Sequence, residues 1–239
     1  MNEPSRLHPC PSPAALAHGL AAWIAERLRE AIAARGHAVL AVSGGKSPVP
    51  LFEALRTQPL DWSRVRITLV DERCVPPGHA DSNTALVRTH LLQGPAAAAT
   101  FVPWFDALPT AFDPADDAAL QRLADGANAR LAHQPWPWDL AVLGMGEDGH
   151  TASLFPGADG LAHALHASGP VAWTRPATAP HARLTLTLPA LLATRELVLP
   201  LIGPTKLRVF QRARLAQDEA LPVSHLLHQH HTPVHVWLA

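Results

Sequence analysis

Hydrophobic and polar positions alternate along the chain with helical and strand periods. From Pro13 to Arg35 apolar residues recur at helical spacing and Gly36 follows, so this pattern predicts an amphipathic helix. His37 to Val42 is a short apolar run typical of a buried strand. A tight loop from Ser43 to Ser47 follows, and a helix opened by proline is predicted from Pro48 to Arg56. The order is strand, glycine-containing loop, helix.

The same order returns further along the chain. Predicted strands cover Val65–Val70, Thr100–Trp104, Trp138–Leu143, Arg183–Leu188, Glu196–Ile202 and Val234–Trp237, the last of which is expected to close the sheet. Between them the pattern predicts a loop at Asp71–Ala80 and helices at Asp81–Gln93, from Asp113 through Leu131, and at Pro204–Ala216. This alternation predicts one α/β domain over residues 1–239. Its fold is Rossmann-like, a mostly parallel sheet flanked by helices, with a small additional α/β portion.

Composition and charge exclude several classes of protein. The chain has 239 residues, 48% of them hydrophobic, which suffices for a sizeable core. Nineteen Lys and Arg against twenty Asp and Glu give a net charge of -1, which argues against nucleic-acid binding. Its most apolar region is broken by prolines and charges, and its first residues lack the layout of a signal peptide. We therefore expect a cytoplasmic protein, not bound to membranes, with a small soluble substrate.

Three polar loops follow predicted strands, and ligands of a doubly wound fold bind beyond the carboxyl ends of its strands. The loops are Ser43-Gly44-Gly45-Lys46-Ser47, Asp71-Glu72-Arg73 and Gly144-Met145-Gly146-Glu147-Asp148-Gly149-His150. The first offers glycine N–H groups, two hydroxyls and a lysine before a helix, which suit a phosphate group. An ordinary flexible turn is the alternative for this first loop, as a surface charge cluster is for the second.

Two of these loops also resemble other motifs. Ala41 to Gly45 is similar to a nucleophile elbow, which would make Ser43 an acyl-transfer nucleophile, although an elbow normally follows several strands. The glycines of the third loop match a dinucleotide fingerprint, but Glu147 and Asp148 inside the turn would repel a pyrophosphate. The sequence therefore does not favour a nicotinamide cofactor.

His150 is the candidate proton-transfer group, because an imidazole can take a proton from water near neutral pH. Asp148, two residues earlier, can orient the ring or hold its charged form. A structural or solvated histidine is the alternative in a chain with fifteen histidines. A second histidine group, His228, His230 and His231, has no supporting carboxylate and no common zinc spacing, so no metal site is expected there.

The three loops together make the chain resemble the 6-phosphogluconolactonase family, whose superfamily also contains glucosamine-6-phosphate deaminase and ribose-5-phosphate isomerase. The matching segments are Val42–Pro48, Val70–Pro76, Asp81–Asn83 and Gly144–Gly157, with weaker matches at Arg183–Thr187 and Gly203–Lys206. After the Asp-Gly-His step the chain continues Thr151-Ala152-Ser153-Leu154-Phe155, which favours the lactonases over the deaminases. Ser47 stands where threonine is commoner in the family and keeps the hydroxyl.

The resemblance implies hydrolysis of 6-phospho-D-glucono-1,5-lactone to 6-phosphogluconate in the oxidative pentose phosphate pathway, without metal or organic cofactor. It implies a catalytic group of His150, Asp148, Asp71 and Arg73, with either carboxylate orienting His150 and Arg73 countering charge on the oxyanion or the phosphate. The implied substrate and phosphate contacts are Ser43, Gly44, Gly45, Lys46, Arg183 and Lys206. The expected partner is the sugar-phosphate lactone alone, and we expect a monomer or a weak homo-oligomer.

Three other functions stay open on the residues. An isomerase or amino-sugar deaminase on the same scaffold would differ in its products. A sensor of sugar phosphates would bind ligand and tolerate loss of His150. A hydrolase with Ser43 as nucleophile would form a trapped acyl-enzyme.

Overall fold

The computed structural model describes residues 5–239 and contains two sheets flanked by helices. Its strands are β1 (Ser5–Pro9), β2 (Ala38–Val42), β3 (Val65–Leu69), β4 (Asp71–Arg73), β5 (Thr100–Phe101), β6 (Leu140–Val142), β7 (Val171–Thr174), β8 (Arg183–Leu186), β9 (Glu196–Leu201) and β10 (Val234–Leu238). Its helices are α1 (Pro13–Arg35), α2 (Val49–Leu55), α3 (Asn83–His90), α4 (Asp117–Leu131), α5 (Leu161–His166), α6 (Leu188–Leu192), α7 (Pro204–Ala213) and α8 (Ser224–Leu227). Short 3-10 turns cover Trp62–Arg64 and Gly94–Ala98.

Seven strands form a parallel sheet in the order β1-β10-β9-β6-β2-β3-β5. The other three form an antiparallel sheet in the order β4-β8-β7, which is the small additional portion. The predicted α/β fold with a mostly parallel sheet is confirmed. Because β2 and β6 are parallel neighbours, with Val42 opposite Val142, the polar loops that follow them leave the same edge of the sheet.

Helix α1 has the predicted bounds, and its sequence explains both ends. Ser12 Oγ accepts a hydrogen bond from the N–H of Ala15, and Gly36 ends the helix with a left-handed φ of 79°. Its face toward the sheet is fully buried at Leu20, Ile24 and Leu28, spaced by four residues.

Within residues 5–239, no helix combines the length and the apolar character needed to span a bilayer.

Two predictions about the strands are wrong. Asp71–Arg73 is strand β4 and not part of a loop, because it pairs with a strand far away in sequence. Strand β10 does not close the main sheet, because β1 pairs along its outer side, from Ser5 opposite Val234 to Pro9 opposite Leu238. The strand predicted at Arg183–Leu188 is present as β8 (Arg183–Leu186), and it belongs to the small antiparallel sheet.

Elements that the sequence pattern does not predict are short or lie at an edge. β1 has a single neighbour and exposes Arg6 and Leu7, so it lacks a clean alternation. The helices α5, α6 and α8 have six, five and four residues, too few for a helical period to show. The pattern does not predict strand β7 either. It is an edge strand that pairs with β8 and packs against helices α4 and α5.

Several helix ends differ from the prediction by a few residues because of their caps. Helix α3 starts at Asn83, since the Ser82 hydroxyl accepts from the N–H of Ala85. Helix α4 starts at Asp117, since the Asp116 carboxylate accepts from the N–H of Ala118. The Asp residues expected at these starts, Asp81 and Asp113, precede the helices. Helix α7 ends at Ala213, three residues earlier than predicted.

A cluster of histidine and tryptophan rings fixes β1 to the main sheet. The ring of His8 stacks on Trp237 with centroids 4.6 Å apart and planes 9° apart, and its Nε2 lies 3.1 Å from Nδ1 of His235. Trp23 of α1 contacts the same group, 4.6 Å from the His235 ring. Burial lowers the pKa of His8, and the nearby charges of His235 and Arg6 lower it further.

This cluster predicts that the free energy of unfolding depends on pH through His8. Because folding lowers its pKa, the unfolded chain binds the proton more readily, so this stabilisation is complete above about pH 6.5 and is lost as the pH falls through the folded-state pKa. His8→Phe keeps a stacking ring but cannot titrate. Its free energy of unfolding, measured with urea at about pH 7.5 and about pH 5.5, is expected to fall less than that of wild type.

The matched control for this experiment is His18→Phe, since His18 is an exposed histidine on α1. It should keep the wild-type difference between the two pH values. An identical pH dependence in His8→Phe and wild type would contradict the assignment.

Candidate active site

A cavity of about 690 Å³ opens where the loops after β2 and β6 meet the small sheet. Eight residues singled out in the sequence line it: Ser43, Gly44, Gly45, Asp71, Arg73, His150, Arg183 and Lys206. The structure thus brings together residues from all three polar loops. Two of the predicted residues lie outside the lining. Lys46 is exposed beside it, and Asp148 contacts His150.

His150 and Asp148 form a hydrogen-bonded pair. Nδ1 of His150 lies 2.6 Å from Oδ1 of Asp148, which also accepts from the His150 backbone N–H at 3.2 Å. Burial by itself would raise the pKa of the Asp148 carboxyl, but the hydrogen bond and charge of His150 lower it below its usual value. An ionised carboxylate can only accept, so Nδ1 of His150 is the donor in this pair, and in the neutral form of the ring Nε2 has the lone pair.

Two glycines of this loop allow neighbouring groups to approach the backbone closely. A Cβ on Gly146 would lie 2.2 Å from Nδ1 of His150 and 2.4 Å from Oδ1 of Asp148, closer than atoms can approach. Gly149 has a φ of 81°, and a Cβ there would lie 2.6 Å from Leu221. The glycine string therefore accommodates the His150–Asp148 pair and the chain around Leu221.

Phe155 contacts both the imidazole of His150 and the guanidinium of Arg183 on strand β8. Its ring stacks on His150 with centroids 3.9 Å apart and planes 22° apart, and the Arg183 guanidinium carbon lies 4.9 Å from its centroid. The Phe155 side chain is buried, so it restrains both groups by packing. In the sequence, Phe155 is only one residue of a segment that matches the lactonases, and nothing there indicates its role in the site.

Asp71 holds neighbouring chain segments in place. Its Oδ2 accepts from the hydroxyl of Ser153 at 2.6 Å, and its Oδ1 accepts from the amide Nδ2 of Asn83 at 3.2 Å. The Asn83 amide in turn lies against Gly44, where a Cβ would be 1.7 Å from Oδ1 of Asn83. Only glycine fits at this contact between the first and second polar loops. Of the two carboxylates considered for orienting His150, Asp148 is the one that touches its ring.

Glu72 is fully buried and caps helix α3. Its carboxylate accepts from the backbone N–H groups of Asn83 at 2.7 Å and Thr84 at 2.8 Å, and from the Ser82 hydroxyl at 3.1 Å. Burial raises the pKa of Glu72, while the backbone N–H donors act against that rise. Burial, followed by the charge of Glu72, also raises the pKa of Cys74 to about 12, so this free thiol stays protonated. Glu72 thus fixes the segment that carries Asn83.

Arg73 and Arg183 lie directly opposite one another in the β4–β8 ladder. Like charges at such positions destabilise a sheet. Burial lowers the pKa of Arg183; the charge of Asp71 opposes this, and that of Arg73 adds to it. Arg73 donates to the carbonyl of Asp81 at 2.6 Å and Arg183 to that of Pro180 at 3.2 Å, but within residues 5–239 the buried Nε of each has no partner. Two unsatisfied guanidinium donors beside a cavity suit an anion.

The rest of the cavity wall combines a third cation with apolar side chains. Burial lowers the pKa of Lys206, in the first turn of α7, and the charge of Glu147 opposes this. The apolar part of the wall is formed mainly by residues in or next to helices α1 and α2, namely Pro13, Leu16, Ala17, Pro48 and Leu51. The sequence indicates no site role for Glu147. It indicates none for this wall either, because an apolar face of α1 has the same pattern whether it lines a core or a cavity.

Ser43 is buried in the cavity wall without the backbone strain of a nucleophile elbow. Outside glycine, positive φ values in residues 5–239 occur only at Ala152 and His181. The Ser43 N–H donates to the carbonyl of Val142, which ties the loop to strand β6. This geometry suits a ligand contact better than an exposed elbow serine.

Comparison with known proteins identifies the family of the chain. Residues 11–237 match the family model of glucosamine-6-phosphate isomerases/6-phosphogluconolactonase. A 6-phosphogluconolactonase of Pseudomonas aeruginosa is 46% identical over 87% of this chain and 84% of its own, and one of Neisseria meningitidis serogroup A is 41% identical over 97% and 98%. The crystal structure of a 6-phosphogluconolactonase from Shewanella baltica superposes with a TM-score of 0.89 at 41% identity, covering 98% of both chains. The chain belongs to the glucosamine-6-phosphate isomerase/6-phosphogluconolactonase family.

Proposed function

We propose that this protein, acting as one domain, hydrolyses 6-phospho-D-glucono-1,5-lactone to 6-phosphogluconate. The observation that carries the proposal is a cavity lined by a carboxylate-bound imidazole, His150, together with Arg73, Arg183 and Lys206. This substrate has an uncharged lactone ring at one end and a dianionic phosphate at the other. Its hydrolysis needs a base that activates water beside the ring, and cations that bind the phosphate. The relatives described above are named for this activity, and their similarity covers 87% and 97% of this chain.

In the proposed mechanism Nε2 of His150 takes a proton from water, and the resulting hydroxide attacks the lactone carbonyl carbon. The tetrahedral intermediate then collapses, the bond from this carbon to the ring oxygen breaks, and the imidazolium returns the proton to that oxygen. Asp148 holds the Nδ1–H and stabilises the charged ring between the two steps. One imidazole therefore serves both proton transfers, without a cofactor and without an acyl-enzyme.

Arg73 and Arg183 are proposed to bind the phosphate. A phosphate dianion matches two guanidinium groups, whereas the oxyanion of the intermediate carries a single charge, so the paired arginines favour the phosphate. Ser43, the backbone N–H groups of Gly44 and Gly45, and Lys206 supply further donors on the same cavity wall. Lys46, an exposed residue of the same loop, lies outside the cavity lining and is given no role in the proposed binding of the substrate.

Replacing His150 by alanine is expected to lower the rate of lactone hydrolysis about 10²- to 10⁴-fold, because both proton transfers lose their carrier. The lactone is generated in situ with glucose-6-phosphate dehydrogenase, and its disappearance is followed after subtracting spontaneous hydrolysis. His163→Ala, which removes an exposed histidine of α5, is the matched control and should keep the wild-type rate.

The same assay separates the alternative functions. Retained turnover in a folded His150→Ala would reassign the base, and no acceleration by wild type would contradict the lactonase. A deaminase would release ammonia and an isomerase would give a ketose, while a sensor would bind the product without turnover. An acyl-enzyme trapped in wild type and abolished by Ser43→Ala would favour the serine hydrolase.

Replacing Gly146 by alanine is expected to lower kcat by at least about 10-fold, because the added Cβ displaces the His150–Asp148 pair. The comparison is Gly126→Ala on an exposed part of α4, where a Cβ meets nothing within 4 Å. That control should keep kcat and gain up to about 1 kcal/mol of stability from helix propensity. A Gly146→Ala protein with normal kcat would contradict the role of this loop.

Replacing Arg73 by alanine is expected to raise KM at least about 10-fold with little change in kcat, since a contact to the phosphate acts equally in ground and transition states. Inhibition by the product 6-phosphogluconate should weaken in parallel. The exposed Arg64, replaced by alanine, is the control and should leave both constants unchanged. A fall in kcat at unchanged KM would instead assign Arg73 to the oxyanion.

A further inference from the structure

Outside the cavity lining, two loops bring three metal-ligating side chains together. His79 and Asp81 lie between β4 and α3, and His181 lies between β7 and β8. One ligand atom from each residue lies within 4.8 Å of the other two. In the part of the chain that the structure describes, this is the only group of three or more His, Cys, Asp or Glu side chains that meets this distance.

The distances within this cluster are close to those of a metal site. Nε2 of His181 lies 2.9 Å from Oδ2 of Asp81, and Nδ1 of His79 lies 3.8 Å from the same oxygen. Ligand atoms around a tetrahedral zinc ion are about 3.3 Å apart, so side-chain movements of about 1 Å or less would bring these three into place. The side chains are 44%, 51% and 28% exposed for His79, Asp81 and His181, which leaves access for an ion and for a water as fourth ligand.

Backbone geometry and local hydrogen bonds hold the cluster in this arrangement. His181 has a φ of 71°, a conformation that costs a non-glycine residue energy and that here places its ring beside Asp81. The Asp81 N–H donates to Nδ1 of His79, and the Asp81 carbonyl accepts from Arg73. Metal binding through Nδ1 of His79 would replace the first of these bonds, while the second would remain.

We infer that His79, Asp81 and His181 bind a divalent transition metal of the zinc class. Two imidazoles and a carboxylate are a ligand set that Zn²⁺ and its neighbours favour over Mg²⁺ or Ca²⁺. The ion would join the loop that contacts Arg73 to the loop that leads into Arg183, and so stiffen the wall of the cavity that carries both arginines. It would act as a structural clamp, and the lactone chemistry proposed above does not use it.

This site differs from the expectation of no metal, which rested on the spacing of His228, His230 and His231 and on the family resemblance. The sequence gives little sign of it, because His181 is 100 residues from Asp81. Spacing rules for zinc sites find ligands that lie close together in the chain.

Calorimetric titration of the chelator-treated protein with Zn²⁺ tests the inference. We expect one tight Zn²⁺ per chain in wild type, and binding weaker by at least about 10-fold in His181→Asn and in His79→Gln, each of which removes one imidazole from a different loop. Asparagine tolerates the positive φ at position 181. Co²⁺ in place of Zn²⁺ should give visible absorption bands in wild type that are lost in both variants.

Two matched controls locate the ion. His231→Asn removes an exposed histidine of the C-terminal group, and His150→Ala removes the imidazole of the cavity; both should keep the tight site. Circular dichroism in chelator shows whether each variant is folded, and Zn²⁺ should raise the unfolding temperature of wild type and of both controls only. Equal Zn²⁺ affinity in folded His181→Asn, His79→Gln and wild type, or loss of binding in His150→Ala alone, would overturn the inference. Neither result depends on whether the lactonase activity is correct.

Discussion

The pairing of β4 with β8 places Arg73 directly opposite Arg183. Both side chains line the cavity, so two mutually repelling cations form part of its wall. Two cations on directly opposite residues of a ladder destabilise a sheet, and burial of Arg183 adds to the cost. Asp71 offsets part of it from within the same strand. The remaining uncompensated charge faces the cavity, so a dianionic ligand would stabilise the folded chain as well as be bound by it.

The central strands of the main sheet could be predicted from the sequence, because they are short apolar runs that are almost entirely buried, whereas the edge strand β1 has no such pattern. Strand β2, fully buried from Ala38 to Val42, is such a run. The small sheet could not be predicted in the same way. Asp71-Glu72-Arg73 contains no apolar residue, and it becomes a strand through hydrogen bonds to β8, far along the chain. Pairing of that kind leaves no local pattern to detect.

Within the site, contacts between near neighbours were predictable and contacts between distant segments were not. Asp148 lies two residues before His150, so their hydrogen bond follows from a local turn. The hydrogen bond from Ser153 to Asp71 spans 82 residues, and the packing of Phe155 between His150 and Arg183 depends on the two sheets meeting. The position of the loops after predicted strands pointed to the site, but only the geometry shows which carboxylate touches the imidazole.

Three carboxylates close to the cavity divide its tasks because their surroundings differ. Glu72 is fully buried and satisfied by backbone N–H groups at the start of α3, so its charge serves the helix and the segment that carries Asn83. Asp71 accepts from a hydroxyl and an amide, which leaves it a positioning group between two loops. Asp148 is 41% exposed and bound to the ring of His150, and its lowered pKa keeps it ionised while that ring gains and loses a proton. In the proposed reaction the proton therefore moves only through His150, since Asp148 stabilises the charge without accepting the proton.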